Sequence, residues 1–292
     1  MYDLSSYHFA ERIHDYASLF SYASWKKTLK SEAPVDVSSI YRKYDVQYFG
    51  EGITYMTYLE WVYRFLLQSY RNEYVYKNEL LDKYIVRKFG KTSSVAINEF
   101  RVGDNIADIA LFNGESKCFE IKSDLDSPQR LCTQLESYKK VFEKCYILIP
   151  ATSIDEYKEL IPEFVGVLLL DYSKRGHVSI HVEKEADRND QVDVNVLMRS
   201  VRASEYRRMV KLAFGSLPDV SDFEMFNACK DMLMELSPSH LHRLFCDVVK
   251  MRKTKVCELT GIAPILRQMA LSMGVPANSM HVMVKMFNQV IS

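Results

Sequence analysis

Residues 94–122 read SVAINEFRVGDNIADIALFNGESKCFEIK, and the fold of the chain turns on how this stretch is divided. Ser94 to Val102 and Ile106 to Phe112 are rich in β-branched and aromatic residues, and Gly103-Asp104-Asn105 between them supplies the residue types of a tight turn. A β-hairpin is the natural reading, with its register left open by a three-residue turn. A second turn, Asn113-Gly114-Glu115-Ser116, leads into Lys117 to Lys122. This third strand sets Phe119 and Ile121 on one face and Glu120 and Lys122 on the other. The three strands therefore form a meander.

Upstream, Lys77 to Phe89 carries Leu80, Leu81, Tyr84, Ile85 and Phe89 along one helical stripe and stops at Gly90. Residues 1–75 are rich in Tyr and Phe, and Tyr55 to Tyr70 repeats apolar residues at helical spacing, which predicts a helical N-terminal region. Downstream, Ser127-Pro128 opens a helix expected to run to about Glu143, since Ser caps well and Pro suits the first helical turn. Cys145 to Pro150 reads as a buried strand, then come a short helix near Ile154 to Leu160, a strand from Phe164 to Asp171, and an edge strand from His177 to Val182. The order α-β-β-β-α-β predicts a mixed α/β core over residues 76–186. Glu183 to Asp193 is polar and charged and is the best linker candidate. Residues 187–292 read as a helical C-terminal region.

Composition narrows the function only a little. The chain has 292 residues, 48% hydrophobic and 26% charged, with Lys+Arg equal to Asp+Glu at 38 each, so any nucleic-acid footprint has to be local. Six scattered cysteines without a CxxC pair imply reduced thiols and a cytoplasmic protein. The longest aliphatic runs are far below the roughly 20 residues of a spanning helix, which argues against a membrane. Gly-rich phosphate loops, G-x-S-x-G elbows and H-E-x-x-H motifs are absent from the sequence, so an ATPase, an α/β-hydrolase and a zincin lack support.

Chemistry concentrates on the second and third strands. Glu120 and Lys122 share a face, and the meander sets their strand beside the one bearing Asp108. An isolated Glu-x-Lys is ordinarily a solvated strand face. Asp108, however, stands in a strand apolar on both faces, where an unpaired carboxylate is costly. Two carboxylates and an ammonium on one sheet face suit a divalent cation that activates water for phosphodiester hydrolysis.

Ala107-Asp108-Ile109-Ala110, Phe119 to Asp126, Arg130-Leu131 and Gln134 to Tyr138 together resemble the PD-(D/E)XK nuclease superfamily. Within it they are similar to a bacterial family with the pattern EIKSDxDxxxRLxxQxxxY. The resemblance covers roughly residues 75 to 175. It implies a restriction-endonuclease-like core flanked by helical regions, and a Mg²⁺-dependent nuclease acting on nucleic acid, DNA ahead of RNA. Asp108, Glu120 and the Ile121 carbonyl would bind Mg²⁺ or Mn²⁺, and Lys122 would position the attacking water. Gln134 and Tyr138 look like the helix-borne Q-x-x-x-Y element, and Arg130, one turn earlier, shares their face. A further acid is expected from Glu79 on the preceding helix or from Glu99 on the first strand, the latter favoured because the resemblance reaches it. Ala107 replaces the Pro that names the superfamily, and Ile106 stands where Arg is frequent.

Arg188, Arg199, Arg202, Arg207, Arg208 and Lys211 form the densest positive stretch, and Arg207 and Arg208 are the candidates for substrate contact outside the core. A solvated helix face accounts for them equally well. His240, His242 and Cys246 lack the second ligand pair of a zinc site. The second functional class compatible with these residues is an inactive nuclease-fold protein that binds nucleic acid or a protein partner as a regulator. Homodimer or partner contacts would then use the helical regions.

Overall fold

The computed structural model describes residues 6–50, 52–173, 177–252, 255–274 and 277–291. Six strands form one mixed sheet: β1 (Val95–Val102), β2 (Asn105–Phe112), β3 (Ser116–Ile121), β4 (Lys144–Pro150), β5 (Gly166–Tyr172) and β6 (Val178–Lys184), hydrogen-bonded in sequence order. β1, β2 and β3 are antiparallel neighbours, β3, β4 and β5 run parallel, and β6 turns back antiparallel at the far edge. The buried run 145–150 of β4 follows from its central place, since both of its faces are covered.

Two hydrophobic clusters cover the two faces. On one, the N-terminal helices and the segment 256–287 pack against Ala96, Ile109, Phe119 and Leu148. On the other, the helix Leu131–Lys139 and the helices between residues 194 and 249 pack against Phe100, Phe112 and Ile147. Phe100, Phe112, Phe142 and Phe245 meet there with ring centroids 5.2 to 6.0 Å apart. Both clusters therefore draw residues from the helical C-terminal region and from the sheet. The terminal regions close no core of their own.

Local details depart from the sequence expectations for identifiable reasons. The hairpin turn has two residues, Gly103-Asp104, because Val102 pairs with Asn105. Gly103 takes φ +59°, the conformation a two-residue hairpin demands of its first central position. The helix ahead of β1 runs from Glu73 to Phe89 but widens into a π-helix over Leu80–Val86. Gly90 ends it in a right-handed conformation (φ −63°) rather than a left-handed cap, and a Cβ there would lie 2.4 Å from the Val86 carbonyl oxygen. The helix after Ser127 starts as a 3-10 turn and ends at Lys139, short of Glu143. Val141 and Phe142 leave the helix to be fully buried, and Glu143 accepts a hydrogen bond from Ser116 N at 2.8 Å.

The expected linker is a hydrogen-bonded strap. Asp187 N donates to Phe164 O (3.0 Å), Asn189 N to Glu143 O (2.8 Å) and Asp193 N to Lys140 O (2.9 Å), while Arg188 pairs with Glu143 at 3.0 Å. Its polar residues satisfy the helix-to-strand turn ahead of β4. Among the described residues, no helix is long and apolar enough to cross a membrane.

Candidate active site

The site forms where β2 and β3 part. Their ladder runs only from Ile109 opposite Phe119 to Phe112 opposite Ser116. Beyond it, the Asp108 side chain takes over the role of a strand, with Oδ2 accepting from Ile121 N at 2.8 Å. On the other side of β2, the β1 ladder pairs Asn98 with Ile109 and Phe100 with Ala107 but skips Glu99 and Asp108. Glu99 adopts φ +54°, a conformation that is uncommon outside Gly, Asn and Asp and is costly elsewhere. Strand β1 is thus kinked directly opposite the acid.

Glu120 lies in β3, all six residues of which are buried. Its Oε1 accepts from Lys122 Nζ at 2.9 Å, and its Oε2 accepts from the Tyr138 hydroxyl at 2.8 Å. Lys122 Nζ also donates to Gln134 Oε1 at 3.1 Å. Gln134 and Tyr138 sit one turn apart on the helix that crosses this face, so the i,i+4 spacing brings both to the strand. Arg130, one turn earlier, is exposed.

Burial, together with the charge of Asp108, pushes the Glu120 carboxyl up to about 7, against the pull of Lys122 and Tyr138. Burial also raises Asp108, although Lys77 and the Ile121 N–H draw it back. The two acids thus oppose each other's ionisation, a repulsion that a cation would relieve. Among the described residues, no three His, Cys, Asp or Glu side chains converge into a metal cage. That agrees with the chemistry of Mg²⁺, which is usually held by one or two carboxylates and keeps its remaining positions for water and phosphate. Two hard carboxylates, Asp108 and Glu120, fit such an ion by donor type.

Lys77, absent from the sequence expectations as a site residue, enters from the helix Glu73–Glu79. Its Nζ lies 3.1 Å from Asp108 Oδ1, is ion-paired with Glu73, and comes within 3.9 Å of Glu99 Oε1. Burial lowers its pKa, but Asp108 and Glu73 reverse the effect and hold the ammonium charged. The signal lay in its spacing: Lys77 precedes Leu80 by three and Leu81 by four, on the stripe the helix buries.

Glu99 reaches only the rim of this cluster, and Glu79 does not belong to it. Two residues past Lys77, Glu79 is turned by about 200° around the helix. Its Oε1 accepts from the Tyr63 hydroxyl at 2.6 Å and its Oε2 is buried without a partner. Burial raises its pKa from the ordinary 4.5. A carboxyl raised in this way stabilises the fold at low pH, and that contribution is lost as pH climbs through the folded pKa. Glu79→Gln keeps the acceptor for Tyr63 and removes the charge, so its stability should vary less with pH than that of the parent. By neutral pH the variant should be more stable by about 1 kcal/mol. Urea melts from pH 4 to 8 check this, and parallel curves for the two proteins would refute it.

Outside the core, Asp124 is bound by Arg71 at 2.6 Å and by the Tyr76 hydroxyl at 3.1 Å. Asp126 accepts from Ser123 N and Oγ at 2.8 and 2.7 Å, and Ser127 rather than Asp126 caps the following turn. Arg207 is paired with Asp222 at 2.8 Å, while Arg208 is exposed in an open depression with Arg202, Ser204, Met251 and Arg252. His242 is buried with no hydrogen-bond partner on either ring nitrogen.

Residues 67–262, more than half of the chain, match the family described as bacteriophage P4 protein cII. Protein cII of Enterobacteria phage P4 is 36% identical over 90 residues, which is 30% of this chain and 34% of that protein. The aligned part is therefore about a third of that relative's length. The solved SPO1766 protein of unknown function from Silicibacter pomeroyi overlaps with a TM-score of 0.30 and 18% identity, covering 48% of this chain and 89% of that one.

Proposed function

The chain belongs to the bacteriophage P4 protein cII family, and from the geometry of its site we propose that it is a Mg²⁺- or Mn²⁺-dependent nuclease that hydrolyses phosphodiester bonds in DNA. The observation that carries this reading is the Glu120 carboxylate, buried beside Asp108 and clasped between Lys122 and Tyr138. The order of helix Glu73–Phe89, three antiparallel strands, helix Leu131–Lys139 and parallel β4 supports the finer reading of the core as restriction-endonuclease-like. Residues 76–186 would carry the chemistry, and 187–292 would contact substrate or partner, with Arg208 better placed for this than the paired Arg207.

Asp108, Glu120 and the Ile121 carbonyl would hold the ion. When bound, the ion supplies positive charge that polarises the phosphate and lowers the pKa of the attacking water. Lys122, fixed by both Glu120 and Gln134, presents an N–H donor to that water without reorganising. Tyr138 locks the Glu120 rotamer, and Glu73 and Glu99 make the rim acidic. Arg130, exposed beyond Gln134, is suited to a flanking phosphate.

The test is calorimetric. Saturable Mn²⁺ binding is expected for the wild type and should be lost in Glu120→Ala. One feature favours a second reading, that of a protein which binds nucleic acid without cutting: Lys77, the Ile121 N–H, Lys122 and Tyr138 already satisfy the four carboxylate oxygens. Absence of Mn²⁺ binding at millimolar metal would favour that alternative.

A further inference from the structure

Lys77 occupies an unusual position for a lysine. Its side chain is only 5% exposed, yet its ammonium touches Asp108, whose carboxylate is 19% exposed, and two rim carboxylates, Glu73 at 61% and Glu99 at 63%. The three acids come from three elements: the helix Glu73–Glu79, β1 and β2. Their common neighbour is this one cation. The element carrying Lys77 becomes a π-helix at Leu80, three residues on, and β1 is kinked at Glu99. The kink at Glu99 borders the ammonium.

We infer that Lys77 is a built-in cation that competes with the divalent ion for Asp108, with Glu73 and Glu99 as the outer seat to which its ammonium withdraws when metal enters. This inference rests on the metal-dependent reading of the site. Asp108 Oδ2 is already committed to Ile121 N, so Oδ1, the atom Lys77 holds, is the oxygen left for a metal. An ammonium and a divalent cation cannot share it at short range without strong repulsion. Without metal, Lys77 neutralises a buried acid that would otherwise be costly. With metal, Glu73 and Glu99 let the ammonium move outward while still paired. Apparent metal affinity is then reduced by the fraction of molecules in which Lys77 sits on Asp108.

The experiment uses the full-length protein and two readouts. In the first, a lysine-acylating reagent is applied with EDTA or with Mg²⁺ and modification is read by mass spectrometry, with exposed Lys26 as the internal standard. Lys77 should be protected in EDTA and should gain about 10-fold in labelling when Mg²⁺ is added. In the second, Mn²⁺ titration should show Lys77→Met binding about 10-fold more tightly than wild type. The labelling arm needs no variant and so stands even if Lys77→Met fails to fold. Metal binding by the wild type with Lys77 labelling unchanged or reduced would overturn the competition and leave the metal site intact. If neither Mn²⁺ nor Mg²⁺ binds the wild type, the metal-dependent reading fails, and this inference fails with it.

Discussion

Lys122→Ala and Asp108→Asn should each lower the rate of DNA cleavage in Mn²⁺ by about 10³-fold or more, with the fold intact. The two changes remove different things. Lys122→Ala deletes the ammonium that Glu120 and Gln134 hold at 2.9 and 3.1 Å, and with it the donor to the attacking water. Asp108→Asn is preferable to Ala because the amide oxygen can still accept from Ile121 N, so the parting of β2 and β3 is preserved while the charge is lost. Circular dichroism should show the native fold in both variants, and thermal melts should show a lower midpoint for Lys122→Ala, which leaves Glu120 buried without its ammonium. The reading fails if wild type and variants cut equally, because the activity would then belong to another site or a contaminant. It fails as well if the wild type does not cut at all in metal, which would leave the non-cutting reading.

Asp45→Ala should cost about 3 to 5 kcal/mol and lower one cooperative transition rather than split it. Asp45 is fully buried and joins three N-terminal helices. Its carboxylate is ion-paired with Arg12, and it accepts from the Tyr16 hydroxyl at 2.8 Å and the Tyr58 hydroxyl at 2.5 Å. Removing it strands a guanidinium and two phenols in the interior, where their desolvation is no longer repaid. Because Tyr16 and Tyr58 belong to the same cluster as Phe119 and Leu148 of the sheet, loosening them should propagate to the site. Urea denaturation followed by far-UV dichroism and by tyrosine fluorescence measures this. Two separated transitions, or a loss below about 1 kcal/mol, would show that the N-terminal helices fold apart from the sheet.

The strands were legible because each carries its own period or turn chemistry: the alternation in KCFEIK, the Gly-Asp turn, the apolar run of CYILIP. So were Asp108, Glu120 and Lys122, since β3 must place Glu120 and Lys122 on one face whatever the rest of the chain does. Gln134 and Tyr138 came from the resemblance to a nuclease Q-x-x-x-Y element, and helical spacing put them on one face. What the sequence hid depends on contacts between distant segments. Glu79 and Lys77 lie two residues apart, and only the packing of their helix on the sheet decides which of them meets Asp108. Glu99 is an ordinary residue until the backbone kink at its own position aims it at the rim. The polar stretch Glu183 to Asp193 has the composition of a free linker, and its backbone hydrogen bonds to Phe164, Glu143 and Lys140 cannot be read from composition.

Segments far apart in sequence meet on one face of the sheet. Trp25 packs against Phe287 with ring centroids 5.1 Å apart, Thr54 bridges Val290, and Ile291 N donates to Ile53 O at 2.9 Å. For a nascent polypeptide this means that the N-terminal helices and the strands leave the ribosome with an apolar face whose covering residues Met283, Met286 and Phe287 are translated well after β6. Contacts of such sequence separation are slow to form. Until they do, the exposed face is a surface for chaperones or for aggregation. Overexpression should therefore be limited by the interval between synthesis of β5 and arrival of the helix Ala277–Phe287, and growth at low temperature, where hydrophobic attraction between exposed faces weakens, suits this protein.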